Sequence, residues 1–161
     1  MKIEVDITRQ QLVLWQDELQ LRCYPISSGK KGVGEQKGSE QTPRGHHIIR
    51  AKIGANHAIN TVFKARRPTG EIYSSELAEK YPNRDWILTR ILWLSGCERG
   101  KNRLGQCDTM QRYIYIHGTP DTEPMGVPAS HGCIRMRNTD LIELFALVPI
   151  YTSVHIYEAI L

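Results

Sequence analysis

A chain of 161 residues and 18.4 kDa, 40% apolar and 24% charged, with 13 Gly and 8 Pro, has the make-up of an ordinary folded protein built on one core. That excludes collagen-like, coiled-coil and disordered classes, and the longest apolar stretches, Trp86–Leu94 and Leu141–Ile150, are too short to cross a bilayer. Lys and Arg outnumber Asp and Glu by 21 to 17, a net charge of +4 that mildly favours anionic partners.

In chain order, Ile3, Val5 and Ile7 alternate with polar residues, and Leu12 and Leu14 resume the alternation after Thr8–Gln11, which predicts a β-hairpin. Leu19–Ile26 reads as a third strand and Ser28–Gly38 as a loop. Thr42, Pro43, Arg44 and Gly45 make a turn, and His46–Ile53 returns to strand. Pro68–Asn83 is loop-like with one helical turn at Ser75–Lys80; Trp86–Leu94 is a core strand. The polar stretch Ser95–Thr109 is a candidate lid, and Arg112–Ile116 a period-two strand that delivers His117 to a sheet edge. A helix is expected after Asn138 as N-cap, with Leu141, Ile142, Leu144, Phe145 and Val148 on one face and Pro149 as its stop. Ser153–Tyr157 closes the chain as a strand. With no repeat and no boundary in view, residues 1–161 are expected to form a single, mainly β domain.

The basic clusters Lys64, Arg66, Arg67 and Arg99, Lys101, Arg103 have no aromatic residues interleaved, so they read as solvated loops, and no nucleic-acid partner is expected. The start, with Glu4 and Asp6 and no apolar run behind them, is not a signal peptide. A chain starting at Met1 would therefore stay in the cytoplasm, or reach the periplasm only as a processed or truncated form. Cys23, Cys97, Cys107 and Cys133 show no Cys-x-x-Cys pair and are expected as free thiols, with a Cys97–Cys107 bridge as the alternative.

The chemistry gathers in His117, Gly118, Thr119, Pro120 and, after a spacer, Ser130, His131, Gly132, Cys133, Ile134, Arg135. A cysteine nucleophile needs a base, oxyanion donors and a means to hold substrate. His117 or His131 can serve as base, forming a thiolate–imidazolium pair. Gly132 permits a sharp turn that exposes nearby amides, and Arg135 offers a planar fork for a carboxylate. A buried structural cysteine and a His₂Cys zinc site of His117, His131 and Cys133 are the alternatives.

This run resembles the signature of the L,D-transpeptidase catalytic-domain (YkuD-like) family: a His, a spacer, then Ser/Thr-His-Gly-Cys, a hydrophobic residue and Asn or Arg. Ile3–Leu14 is similar to the family's opening hairpin and Thr42–Gly45 to its Thr-Pro-x-Gly turn. The resemblance implies a β-sandwich of mixed sheets with one or two packed helices, Cys133 as nucleophile and His117 as base. It further implies the carbonyl of Gly118 as orienter, the amides of His131, Gly132 and Cys133 as oxyanion donors, Arg135 and Ser130 toward substrate, and neither cofactor nor metal. The implied partners are peptidoglycan stem peptides or muropeptides, with no membrane span. The implied reaction is acyl transfer through a thioester at the L-centre of the third residue. The expected outcome is L,D-carboxypeptidase release of D-alanine from tetrapeptides in recycling; the alternatives are 3–3 crosslinking and a non-catalytic peptidoglycan-binding domain.

Overall fold

The computed structural model describes residues 1–160. Alternating apolar residues form β1 (Lys2–Asp6) and β2 (Gln11–Gln16), which pair antiparallel with Ile3 opposite Leu14 and Val5 opposite Leu12. They are followed by β3 (Leu19–Ser27), β4 (Gly45–Ile53), β5 (Thr61–Lys64), β6 (Arg67–Ile72), α1 (Ser75–Lys80), β7 (Ile87–Gly96), β8 (Tyr115–Gly118), β9 (Ile134–Met136), α2 (Asn138–Leu147) and β10 (Ser153–Tyr157).

The strands run in the order β4-β10-β1-β2-β3-β9-β8-β7-β5-β6, and β4 also pairs with β7. Eight strands therefore close on themselves, with the β5–β6 hairpin attached to β7. The mainly β class is as the sequence implies, but the expected sandwich is corrected to a closed, barrel-like sheet. Both edges of β4 are occupied, one by β10 and one by β7, so no free edge is left there to separate two sheets.

Side chains alternate across this wall. Ile3, Val5, Leu12, Leu14, Ile26, Ile49, Leu92, Leu94, Ile116, Ile134, Met136, Val154 and Ile156 point into one apolar cluster, joined by Leu141, Leu144 and Phe145 of α2. Each fully buried Ile or Leu contributes roughly 1.5–3 kcal/mol. The opposite side of the same strands carries Ile91, Trp93 and Tyr115, covered by Phe63 of β5, with Cys133 packed against them. The two faces of β7–β9 thus do different work, as the period of two requires.

Three further expectations are corrected. Asn138 begins α2 but does not cap it: the cap position is Arg137, and the Asn138 side chain is drawn inward, accepting from Thr89 Oγ1 at 2.7 Å and donating to the Thr119 carbonyl at 2.9 Å. The other end of α2 is held by Lys52, whose Nζ donates to the carbonyls of Phe145 and Val148. The strand expected at Arg112–Ile116 begins only at Tyr115. Arg112 reaches across to the carbonyls of Gly34 and Gln41, and Tyr113 turns with φ 57°. Where loop was expected from Pro68 onward, residues 67–72 form β6, which pairs with β5. Pro68 is tolerated because β6 is the sheet's outer edge and needs no donor there.

Candidate active site

His117 ends β8 and Cys133 immediately precedes the parallel β9, in which Arg135 lies beside His117. Since residues two apart share a face, His117, Tyr115, Cys133 and Arg135 all stand on the outer side of the barrel while Ile116, Ile134 and Met136 fill its inside. The structure therefore brings His117 and Cys133 to one face of adjacent strands.

The Cys133 thiol is half-buried and held by backbone: the Tyr115 N–H donates to Sγ at 3.3 Å, and the thiol points to the Tyr113 carbonyl at 3.4 Å. Burial pushes this thiol up to about 12, against the smaller opposing pull of the Tyr115 amide. His117 is 1% exposed and shifts the other way, lowered chiefly by its own burial. Both directions favour the neutral forms, a thiol and an imidazole. Burial of each group thus works against the expected thiolate–imidazolium pair, because it penalises both charged forms.

His117 Nδ1 lies 2.6 Å from the Gly118 carbonyl. A carbonyl only accepts, so Nδ1 carries the proton and Nε2 presents a lone pair. Gly118 is required for this approach, since a Cβ there would sit 2.6 Å from the Leu88 carbonyl and against Asn138 Oδ1. Asn138 in turn holds the next carbonyl, that of Thr119, and so fixes the segment that orients the imidazole. That support was not foreseen from the sequence, where Asn138 carries an ordinary capping signal.

The turn that leads into Cys133 is built by Ser130, Gly132 and Thr42. Gly132 adopts φ 121°, a conformation open to glycine, and a Cβ there would meet the Gln41 carbonyl at 3.1 Å. Thr42 Oγ1 accepts from the Gly29 N–H and donates to the Gly132 carbonyl, both at 2.8 Å, tying the Thr-Pro turn to the Cys133 turn. Ser130 Oγ accepts from the Gly132 N–H and donates to the Cys133 carbonyl. Of the three amides expected to receive an oxyanion, that of Gly132 is thus engaged within the turn. Those of His131 and Cys133 have no partner among the described residues. Ser130, expected toward substrate, is a buried brace of this turn instead.

Arg135 is also placed differently from the expectation. The residue is 7% exposed and its guanidinium faces the protein's own carboxylates, Asp85 at 3.1 Å and Glu123 at 3.5 Å. Its Nε is buried without a partner. His131 turns outward toward the same Asp85 at 3.4 Å, so it does not join His117 and Cys133. Among the described residues no three His, Cys, Asp or Glu side chains gather as metal ligands.

The expected lid, Ser95–Thr109, is pinned instead. Asn102 Oδ1 accepts from the Glu98 N–H and its Nδ2 donates to the carbonyls of Arg44 and His46; Asp108 accepts from the amides of Leu104 and Gln111. The loop borders an open groove of about 760 Å³ that also includes Gln36, Gln41 and Arg44. The segment that reaches the aromatic wall beside Cys133 is the β5–β6 hairpin. All four cysteines are free.

The structure thus combines a closed, mainly β wall with a Ser-His-Gly-Cys turn and a carbonyl-anchored His on adjacent strands. The family model of the L,D-transpeptidase catalytic domain (YkuD) matches residues 1–156, and the chain belongs to this family. It is 26% identical over 155 residues to the YkuD protein of Bacillus licheniformis, covering 96% of this chain and 64% of that protein. Against the YkuD protein of Bacillus subtilis it is 51% identical over 46 residues, 29% of this chain and 28% of that one. Among solved structures, an L,D-transpeptidase from Xylanimonas cellulosilytica superposes with TM-score 0.53 at 24% identity, covering 96% of this chain and 59% of that one. An L,D-transpeptidase from Mycobacterium smegmatis does so with TM-score 0.57 at 18% identity, covering 96% and 57%. The chain thus spans less than two-thirds of the length of each of these relatives. No helix of the described residues is long and apolar enough to cross a membrane.

Proposed function

We propose that the protein performs cysteine-dependent acyl transfer on peptidoglycan stem peptides, with Cys133 as nucleophile and His117 as general base. The observation that carries this reading is the anchored imidazole: with Nδ1–H committed to the Gly118 carbonyl, Nε2 is the basic atom on the face that also bears Cys133. Because both groups rest neutral, proton transfer accompanies attack. The thiol proton passes to Nε2 as sulfur bonds to the carbonyl carbon of the third stem residue. The free amides of His131 and Cys133 receive the oxyanion. The imidazolium then protonates the departing D-alanine nitrogen, leaving a thioester on Cys133.

Water resolves that thioester in the favoured outcome, making the protein an L,D-carboxypeptidase that trims tetrapeptides. Water needs no acceptor site, and a net charge of +4 suits small, free, anionic muropeptides of a cytoplasmic recycling pool. One observation favours a second reading, 3–3 crosslinking: the large groove includes Gln41, whose carbonyl faces Gly132 beside the nucleophile, and has room for an acceptor peptide. Mass spectrometry after incubation with a disaccharide tetrapeptide tests both. Tripeptide and free D-alanine are expected, with none from Cys133→Ala. Dimers without tripeptide would replace the hydrolase by the crosslinking reading, and unchanged turnover by Cys133→Ala would end thiol catalysis.

A further inference from the structure

A substrate whose reacting bond lies beside free carboxylates calls for a cation near the nucleophile, and the obvious one is already spoken for. Arg135 is buried against Asp85 and Glu123, so a substrate carboxylate there would meet two like charges. The basic cluster at residues 64–67 contains a better-placed group. Ala65 and Arg66 form the tip of the β5–β6 hairpin with φ of 48° and 64°, successive left-handed residues that turn the tip back over the sheet. The Arg66 guanidinium stands 4.7 Å from the ring centroids of both Trp93 and Tyr113, and its Nη1 donates to Tyr115 Oη at 2.9 Å.

These contacts locate Arg66 with respect to the nucleophile. Tyr115 gives its amide to Cys133 Sγ and Tyr113 gives the carbonyl that the thiol faces, so two of the three aromatic residues that Arg66 touches are those whose backbone holds the sulfur. Trp93 and Tyr115 pack in the same outer cluster as Cys133. The aromatic platform that the local sequence around Arg66 lacks is supplied by β7 and the turn before β8. Among the described residues Arg66 has no carboxylate at ion-pairing distance. One Nη1 hydrogen is committed to Tyr115, while a guanidinium carries five N–H donors in a rigid fork.

We infer that Arg66 is the specificity-determining residue that receives a substrate carboxylate adjacent to the scissile bond, an assignment that rests on the acyl-transfer reading above. The aromatic pair orients the fork without neutralising it, and the ring faces leave the charge available to a ligand that brings its own carboxylate. Two carboxylates of a stem peptide share this chemistry: the α-carboxylate of the terminal D-residue and the side-chain carboxylate of the third residue.

The test measures calorimetric binding to the Cys133→Ser protein, which holds substrate without turning it over. The probes are a disaccharide tetrapeptide, the same peptide amidated at its terminus, and the same peptide amidated at the third side chain. The free acid should bind about tenfold or more tightly than one of the two amides, and which amide fails identifies the carboxylate. Adding Arg66→Gln, which keeps a planar stacking group and a donor but removes the charge, should erase that difference, and Arg66→Lys should retain part of it. Equal binding of all three peptides by the Arg66 protein, no binding of any, or equal weakening of all three by Arg66→Gln would overturn the assignment. Turnover by the protein with Cys133 intact is read separately: preserved carboxylate discrimination without any product would sink acyl transfer and leave the binding role of Arg66 standing. If Arg66→Gln does not fold, the amide comparison and Arg66→Lys still decide.

Discussion

The neutral resting pair makes Cys133 a slow nucleophile toward reagents that depend on pre-formed thiolate. A thiol held near 12 carries about 3,000-fold less thiolate at neutral pH than a free cysteine at about 8.5. Intrinsic nucleophilicity rises with basicity at a slope of about 0.45, which returns roughly 40-fold. The net expectation is exchange with a small neutral disulfide about 80-fold slower than that of a free model thiol. The logarithm of the rate should climb with a slope near one from about pH 6 to about pH 10. The assay is timed reaction with 2-hydroxyethyl disulfide, acid quenching, and mass spectrometry of the peptide containing Cys133, with Cys23, Cys97 and Cys107 replaced by Ser. His117→Ala should leave the slope unaltered, because no imidazolium sustains a thiolate in the resting state. A rate that levels off below about pH 8, and loses that plateau in His117→Ala, would refute the reasoning and restore the ion pair.

The other predictions concern the supports. Thr42→Val removes the hydroxyl that accepts from Gly29 and donates to Gly132, so urea unfolding should show a loss of about 1–3 kcal/mol, accompanied by a lower kcat as the nucleophile turn loosens. Asn138→Ser keeps a good capping residue but abandons Thr119; it should cost nearly as much stability as Asn138→Ala, whereas a capping role would make the Ser variant almost neutral. His47 is buried between the Gly45 carbonyl and the Thr109 hydroxyl, and burial pushes it down to about 4. The unfolded chain, titrating near 6.5, binds that proton first, so stability falls as pH drops from about 6.5 toward 4, by up to roughly 3 kcal/mol. Comparing urea midpoints at about pH 7 and pH 4.5, His47→Gln should flatten this component of the slope; an unchanged slope would contradict it.

Legibility in the sequence followed the range of the forces involved. The β1–β2 hairpin, β4, β7 and β10 announce themselves because each buries alternate residues against a local or nearby partner. Residues 112–114 carry the same alternation yet form a turn, because Arg112 is recruited by the carbonyls of Gly34 and Gln41, far away in sequence. β6 contains Pro68 and Gly70, residues that read as loop and are tolerated only because nothing pairs beyond that edge. Barrel closure through β4 and β7 has no local signal at all. At the site, the Ser130–Cys133 turn and His117 were readable as a motif. The engagement of Arg135 with Asp85 and the stacking of Arg66 on Trp93 and Tyr113 depend on side chains brought from other strands.

The division of labour between the two sides of β8 and β9 also restricts how these strands can change. Ile116 and His117, like Ile134 and Arg135, are neighbours assigned to opposite worlds, oil on one side and reagents on the other. Deleting or adding a single residue within either strand would rotate every later side chain through the wall, sending an imidazole or guanidinium inward and a greasy isoleucine out. Length variation should therefore be confined to the stretch between the strands, where Asp121–Pro128 runs as turns, and the short segments that flank His117 and Cys133 should tolerate substitution far better than any shift in register.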